Sequence, residues 1–436
     1  MKITVRILAT FVCLLLSLIS DNAYGDVINV TTPKQASTLP EKYDLEFDGI
    51  FYRITSVDTL SVEVVGGENV YTGEIVIPDY VNYRGRQFRV TSIADRCFYN
   101  SPITGITIGK NITTIGIMPF WDCTKLTSVS FSDGTNRLIF KDYDPKSRYN
   151  DPQSGRSYST GFINCPIQRL YLGRDIVTGI DYQTFGKPFN NLENATEIMI
   201  GPTVTRLEIS LPGAQKIKAL KIPSSVTYIG HGIFREWNGL KSICFEDGEN
   251  ELYCNEDFSY LPLEYVYIGR DIEVRDNSFS ESSISKIDIG GQVTSLMPIT
   301  YLAELTEIRI PKNVRKIESF IGCNNLRSIY CLTETPPTSL YFSSDYATGV
   351  FDDVVFAMGT LYVPQGCAEV YKKTEGWDKF FEIKEYDGST AAPSIIPDDN
   401  LNIIEIFDIN GCKVQQMQRG LNIVKYSDGT VKKILQ

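Results

Sequence analysis

Residues 170–176 read LYLGRDI and residues 266–272 read VYIGRDI, 96 positions further on. Each stretch belongs to a longer unit that recurs along the chain. Counting from Phe98, Phe162, Phe258 and Phe279, apolar residues fall at offsets 5, 8 and 10. Counting from Phe120, Phe189, Phe234 and Phe320, they fall at offsets 6, 9 and 11, one residue later in every copy. Eight copies at fixed offsets constrain the fold more tightly than any composition could. One strand and one turn cannot bury an apolar edge alone, whereas stacked copies share a continuous core.

Each unit ends in apolar-x-apolar alternation, the period of a strand with one buried face. The inward pairs are Ile75/Ile77, Ile106/Ile108, Val129/Phe131, Leu170/Leu172, Ile198/Ile200 and Leu220/Ile222, then Ile243/Phe245, Val266/Ile268, Ile287/Ile289, Ile308/Ile310, Ile329/Cys331 and Leu361/Val363. Four steps separate Leu172 from Ile268, an average period of 24. This predicts a β-rich repeat solenoid of about twelve rungs spaced about 4.8 Å apart, with the recurring Phe facing inward across from the strand. Cys123, Cys165 and Cys323 lie three residues after that Phe, where Trp237 and Leu192 stand in other copies, and so are expected as buried thiols. Cys244 lies between two inward residues and is expected to point outward.

The units resemble those of BspA-like leucine-rich repeat proteins. The resemblance is carried by SVTYIGHGIFREWNGLKSICF and ELTEIRIPKNVRKIESFIGCNNLRSIYC, with VYTGEIVIPDYVNYRGRQFRVTSIADRCF before them and TLYVPQGCAEVYKKTEGWDKFFEI after. It implies a leucine-rich repeat fold and an exported protein of a Bacteroidetes-type bacterium, with adhesion as the expected role. The expected organisation is a signal peptide at 1–25, an N-terminal β cap and first strand at 26–89, and a solenoid with its C-terminal cap at 90–386. A linker at 387–400 and a C-terminal β tail at 401–436 follow. In the cap, two strand-like runs are expected to be broken at Gly66-Gly67. At the far end Trp377, Phe380, Phe381 and Ile383 are expected to close the last rung. The tail reads as a β-meander with turns at Asn410-Gly411, Gly420 and Asp428-Gly429. Its DINGCKV, GLNIVKY and GTVKKIL resemble the end of type IX secretion sorting domains.

Lys2 and Arg6, an apolar run from Ile7 to Ile19 and Ala23-Tyr24-Gly25 make the signal peptide reading. About 13 apolar residues are too few to span a bilayer, and no transmembrane segment is expected in the mature chain. The 436 residues carry a formal net charge of −11, which argues against nucleic acid as a partner. Nine of the ten cysteines follow the signal, an odd count that leaves at least one unpaired. No Cys/His group has metal-ligand spacing, and no metal or cofactor is expected.

Candidate chemistry is sparse. His231, the single histidine, sits in YIGHGIF and reads as a solvated turn residue. Asp133/Asn136 in FSDGTNRL and Asp247/Asn250 in FEDGENEL suggest calcium or Asp-Gly turns. The turns are preferred, because an EF-hand loop supplies more oxygen ligands. The expected function is therefore non-enzymatic recognition of a host or bacterial surface protein or glycan. A carbohydrate-active hydrolase or accessory protein, or a structural surface component, stands as the alternative. Two surfaces are candidates. Arg169, Tyr171, Tyr265, Tyr267, Lys286, Asp288, Arg309 and Tyr330 occupy outward strand positions and are expected to form one mixed aromatic and charged face. The insertion at 141–161 adds Tyr143, Arg148, Tyr149 and Tyr158, in a composition typical of adaptable recognition loops.

Overall fold

The structure, a computed structural model, describes residues 43–66, 71–141, 161–178, 188–274, 279–280, 282–339 and 350–386. It also describes the backbone of strands at 403–407, 413–414, 421–426 and 431–435. The signal segment, most of the 141–161 insertion and the 387–400 linker lie outside these residues.

All twelve expected strands form, and a thirteenth follows at Glu382–Tyr386. They stack in parallel as a long ladder in three sheets. The first joins Gly73–Ile77, Ile103–Ile108, Ser128–Phe131, Arg169–Leu172 and Glu197–Ile200. The second joins Ala219–Ile222, Ser242–Phe245, Tyr265–Ile268 and Lys286–Ile289, and the third joins Glu307–Ile310, Ser328–Cys331, Thr360–Pro364 and Glu382–Tyr386. The register aligns like with like, Leu170 beside Ile198 and Val266 beside Ile287. Every inward pair is buried except that Ile75 and Ile289 are partly so.

A second ladder, mostly of short strands, faces the first. It runs through Ser61–Val65, Arg86–Ile93, Thr114–Ile115, Leu138–Phe140 and Ile176–Thr178, then Arg206–Leu207, Tyr228–Ile229, Leu252–Cys254 and Ile272–Val274, and last Ser295–Leu296, Lys316–Ile317 and Thr338–Ser339. Many of these strands span only two residues, too short to show a period. Each turn from Gly73–Ile77 to Ser328–Cys331 therefore holds one strand of each ladder, with the core between them.

The recurring Phe residues close the third side. Phe98, Phe120, Phe162 and Phe189 stack ring on ring at centroid spacings of 5.3, 4.6 and 5.1 Å. Phe234, Phe258 and Phe279 continue at 6.0 and 4.7 Å, and Phe320 meets Phe351 at 5.1 Å. Three positions on, Cys123, Cys165 and Cys323 are buried as expected, but they also act as donors. Their thiols reach Phe98 O, Phe120 O and Ile299 O of the preceding turn at 3.0, 3.0 and 3.3 Å. The Trp237 indole N–H makes the same bond to Leu211 O at 2.5 Å. The position takes a buried side chain, and where that side chain carries a donor it satisfies one main-chain carbonyl; Leu192 fills it by packing alone.

The quoted GRD stretches occupy equivalent corners, where the chain leaves the long ladder. A Cβ on Gly173 would stand 2.2 Å from Phe131 O, and one on Gly269 would stand 2.4 Å from Asp247 N, so the corner admits only glycine. The arginine that follows turns inward. Arg174 donates Nη1 to Lys110 O and Ile112 O at 2.7 and 2.8 Å, and Nη2 to Gly109 O at 2.8 Å. Arg270 donates to Ser224 O and Pro223 O at 2.7 and 2.9 Å. Each guanidinium satisfies carbonyls two turns back, a span its planar fork suits.

At the N-terminal end the hairpin turns earlier than expected. Ile50–Ser56 pairs antiparallel with Ser61–Val65, so the break falls at Val57–Leu60 rather than at Gly66-Gly67. Leu60 takes a φ of +47° there, and the Ser56 hydroxyl accepts from Thr59 N at 3.1 Å. At the C-terminal end Trp377 and Phe380 are buried against Phe351, whereas Phe381 is 83% exposed. Both precede the strand Glu382–Tyr386, and only Phe380 is turned towards the core. The tail forms a four-stranded antiparallel sheet in the order Lys413–Val414, Ile403–Phe407, Leu421–Tyr426, Val431–Leu435. It is not a meander, because the third strand returns to pair with the first.

Candidate binding face

The outward positions of the long ladder align in columns because the strands stack in register. Tyr171 lies beside Met199, Tyr267 between Cys244 and Asp288, and Tyr330 between Arg309 and Tyr362. The expected residues all lie on this face, but they do not form one patch. Arg169 and Tyr171 are separated from Tyr265 by the strands Glu197–Ile200, Ala219–Ile222 and Ser242–Phe245. Two clusters result further along.

The first cluster is Tyr265, Tyr267, Lys286 and Asp288. The Tyr265 hydroxyl donates to Asp288 Oδ2 at 2.9 Å, and Lys286 Nζ lies 5.4 Å from the Tyr265 ring centroid and 3.7 Å from Asp288 Oδ2. Tyr267 donates to Asp247 Oδ1 at 2.8 Å, and Tyr171 makes the same bond to Asp133 Oδ1 at 2.7 Å. Burial, followed by the neighbouring carboxylate, pushes the Tyr171 phenol up to about 12, and Tyr265 and Tyr267 are raised for the same reasons. All three stay neutral donors at physiological pH. Asp133 and Asp247 accordingly serve as acceptors for tyrosine hydroxyls in both Asp-Gly corners.

The second cluster is larger than the sequence reading allowed. Arg309 stacks on the Tyr330 ring at 3.8 Å, Tyr330 stacks on Tyr362 at 4.5 Å, and Tyr386 meets Tyr330 edge-on at 5.6 Å. Arg309 Nε is held by Glu307 at 2.8 Å. Tyr362 was missed although the same alternation marks it, since it stands between inward Leu361 and Val363. Tyr386 lies on the thirteenth strand, whose mixed charges, EIKEY, obscure its period.

Tyr143, Arg148, Tyr149 and Tyr158 lie outside the described residues. His231 is exposed, as expected of a turn residue. Among the described residues, no group of three or more His, Cys, Asp or Glu side chains is placed to hold a metal ion. Among them, too, no helix is long and apolar enough to cross a membrane.

Two strand ladders and an arc of buried aromatics, repeated about every 24 residues, define a leucine-rich repeat solenoid. Residues 86–141, 157–274 and 254–336 match the BspA type leucine rich repeat region in 6 copies. These segments cover more than half of the chain, and the chain belongs to that family. No curated protein matches it. Among solved structures, a leucine-rich repeat protein from Bacteroides ovatus is similar at 17% identity, over 79% of this chain and 100% of that one, with a TM-score of 0.29. A leucine rich cell surface protein from Faecalibacterium prausnitzii is 15% identical over 79% and 94% of the two chains, with a TM-score of 0.24. The pneumococcal vaccine antigen PcpA is 13% identical over 79% and 98%, with a TM-score of 0.29.

Proposed function

We propose that this chain is an exported, surface-displayed adhesion protein that binds a protein partner through the outward face of its long ladder and carries out no catalysis. The observation that carries the reading is the pillar of Arg309, Tyr330 and Tyr362, with Tyr386 at its side. Tyrosine and arginine dominate protein interfaces, and side chains already held in place lose little entropy on binding. The same geometry favours protein over glycan. A sugar ring stacks on an open aromatic face, but the two faces of Tyr330 are taken by Arg309 and Tyr362, which leaves ring edges and hydroxyls to meet a ligand. Export rests on the N-terminal signal-like segment, and surface display on the family and its cell-surface likeness.

The test presents the mature chain, from residue 26, to arrays of host and bacterial surface proteins and of glycans, then compares variants against the ligand found. Tyr330→Ala with Tyr362→Ala, or Tyr265→Ala with Tyr267→Ala, is expected to weaken binding by about 30-fold, as when an aromatic anchor worth about 2 kcal/mol is lost. Deletion of 142–160 is the competing variant. Full affinity in both tyrosine variants, with loss on the deletion, would move the site to the insertion.

A further inference from the structure

We infer that Asp175 and Asp271 tie together three hydrogen-bonded blocks, and that the solenoid opens and bends at these two junctions. Both ladders are interrupted in step. The long ladder stops between Ile200 and Ala219 and between Ile289 and Glu307, and the short ladder stops between Thr178 and Arg206 and between Val274 and Ser295. The turn 197–207 therefore has its long strand in the first block and its short strand in the second. The turn 286–296 divides the second block from the third in the same way. The aromatic stack fails beside each junction, where Leu211 and Ile299 stand in place of Phe and contribute no ring.

Elsewhere on the short ladder an amide reaches a main-chain carbonyl of the turn before. Thr113 N bonds Thr91 O at 2.9 Å, Thr227 N bonds Thr205 O at 2.8 Å, and Arg315 N bonds Thr294 O at 2.8 Å. At the junctions a carboxylate takes that role. Asp175 Oδ1 accepts from Thr205 N and Arg206 N at 2.7 and 2.9 Å, and its Oδ2 accepts from Thr205 Oγ1 at 2.6 Å. Asp271 Oδ1 accepts from Thr294 N and Ser295 N at 2.7 and 2.9 Å, and its Oδ2 accepts from Thr294 Oγ1 at 2.5 Å. The main-chain carbonyls of the same two residues accept from Leu138 N and Leu252 N on the preceding side, each at 2.9 Å. At each break one aspartate thus bonds both edges of the short ladder; at the first, Arg137 Nη2 also reaches Glu208 Oε2 at 3.0 Å and Leu192 N reaches Pro212 O at 2.9 Å. The aspartate carboxylate hangs on rotatable side-chain bonds, so the tie yields more readily than a strand pair that spreads its load over several main-chain bonds. Tyr265 and Lys286 belong to the second block and Arg309 and Tyr330 to the third, so bending at the turn 286–296 changes the spacing between the two outward clusters.

The test is amide hydrogen exchange on the full chain. In the wild type at moderate urea, the described strands should exchange as three groups with boundaries at 197–207 and 286–296. In Asp271→Ala, the amides of Thr294 and Ser295 should exchange at least tenfold faster while Lys241–Gly269 in the second block keeps its protection. Asp271→Asn, which keeps the Oδ1 acceptor, should recover most of that protection. Asp175→Ala should do the same at Thr205 and Arg206. Exchange of the whole wild-type solenoid as one cooperative group would overturn the inference, as would unchanged protection at Thr294 and Ser295 in Asp271→Ala. The wild-type measurement decides the matter even if a variant does not fold.

Discussion

Among the described residues, the charged side chains that are buried are Arg174, Glu256 and Arg270. A buried arginine is tolerable only because main-chain carbonyls replace its lost water, and those carbonyls in turn depend on it. Lysine in its place offers one compact ammonium and no planar fork. Arg270→Lys is therefore expected to lower unfolding stability by about 3 kcal/mol, measured by urea denaturation, and an unchanged midpoint would refute the carbonyl-cap account. Glu256 behaves differently. Its carboxylate accepts from Ile233 N at 2.6 Å, yet burial pushes the carboxyl up to about 7 against the pull of the surrounding backbone amides. A folded value above the unfolded one means that the native state holds the proton more tightly. The contribution is then fully present below about pH 4.5 and is lost as pH rises towards 7, by an amount on the order of 3 kcal/mol. Glu256→Gln should flatten this part of the pH profile, which the difference between wild-type and variant urea midpoints from pH 4 to 8 would show. The residue identities could be read directly, but the roles could not, since both arginines bond to residues at least 46 positions away.

Among the elements, the long strands were legible because four to six residues suffice for the two-residue period to show against polar neighbours. The two-residue strands of the short ladder carry no period, and only their stacking identifies them. The Phe column was legible as a spacing, whereas its stacking was not. Phe120 lies in stacked contact with Phe98 and Phe162, and Phe234 stacks on Phe258 while meeting Trp237 edge-on. Phe120→Ala or Phe234→Ala should destabilise by about 3 to 5 kcal/mol, the cost of a cavity that neighbouring turns cannot fill. Wild-type thermal melting in both variants would mean that the column does not hold the turns together. The candidate face was legible only in part. Alternation predicted that Tyr265, Tyr267, Arg309 and Tyr330 point outward. That their hydroxyls and ring faces are taken by Asp288, Asp247, Arg309 and Tyr362 depends on which strands become neighbours.

Taken as a whole molecule, the chain ends in a sheet whose strand pairings are all internal to 403–435. Removal of residues 387–436 is therefore expected to leave the thermal transition of the solenoid unchanged while altering where the protein accumulates in cells. A lowered transition would make the tail part of the solenoid's cap and weaken its reading as a sorting signal. The sequence alone determined that the chain is a solenoid, because a periodic pattern of burial has only one economical solution when each unit is too small to fold alone. It determined the inward residues and the likeness of the two GRD corners for the same reason. Only the tertiary structure decided what those corners do. Arg174 and Arg270 reach back two turns and Asp175 and Asp271 reach forward one, and contacts between turns are set by stacking distance rather than by separation along the chain.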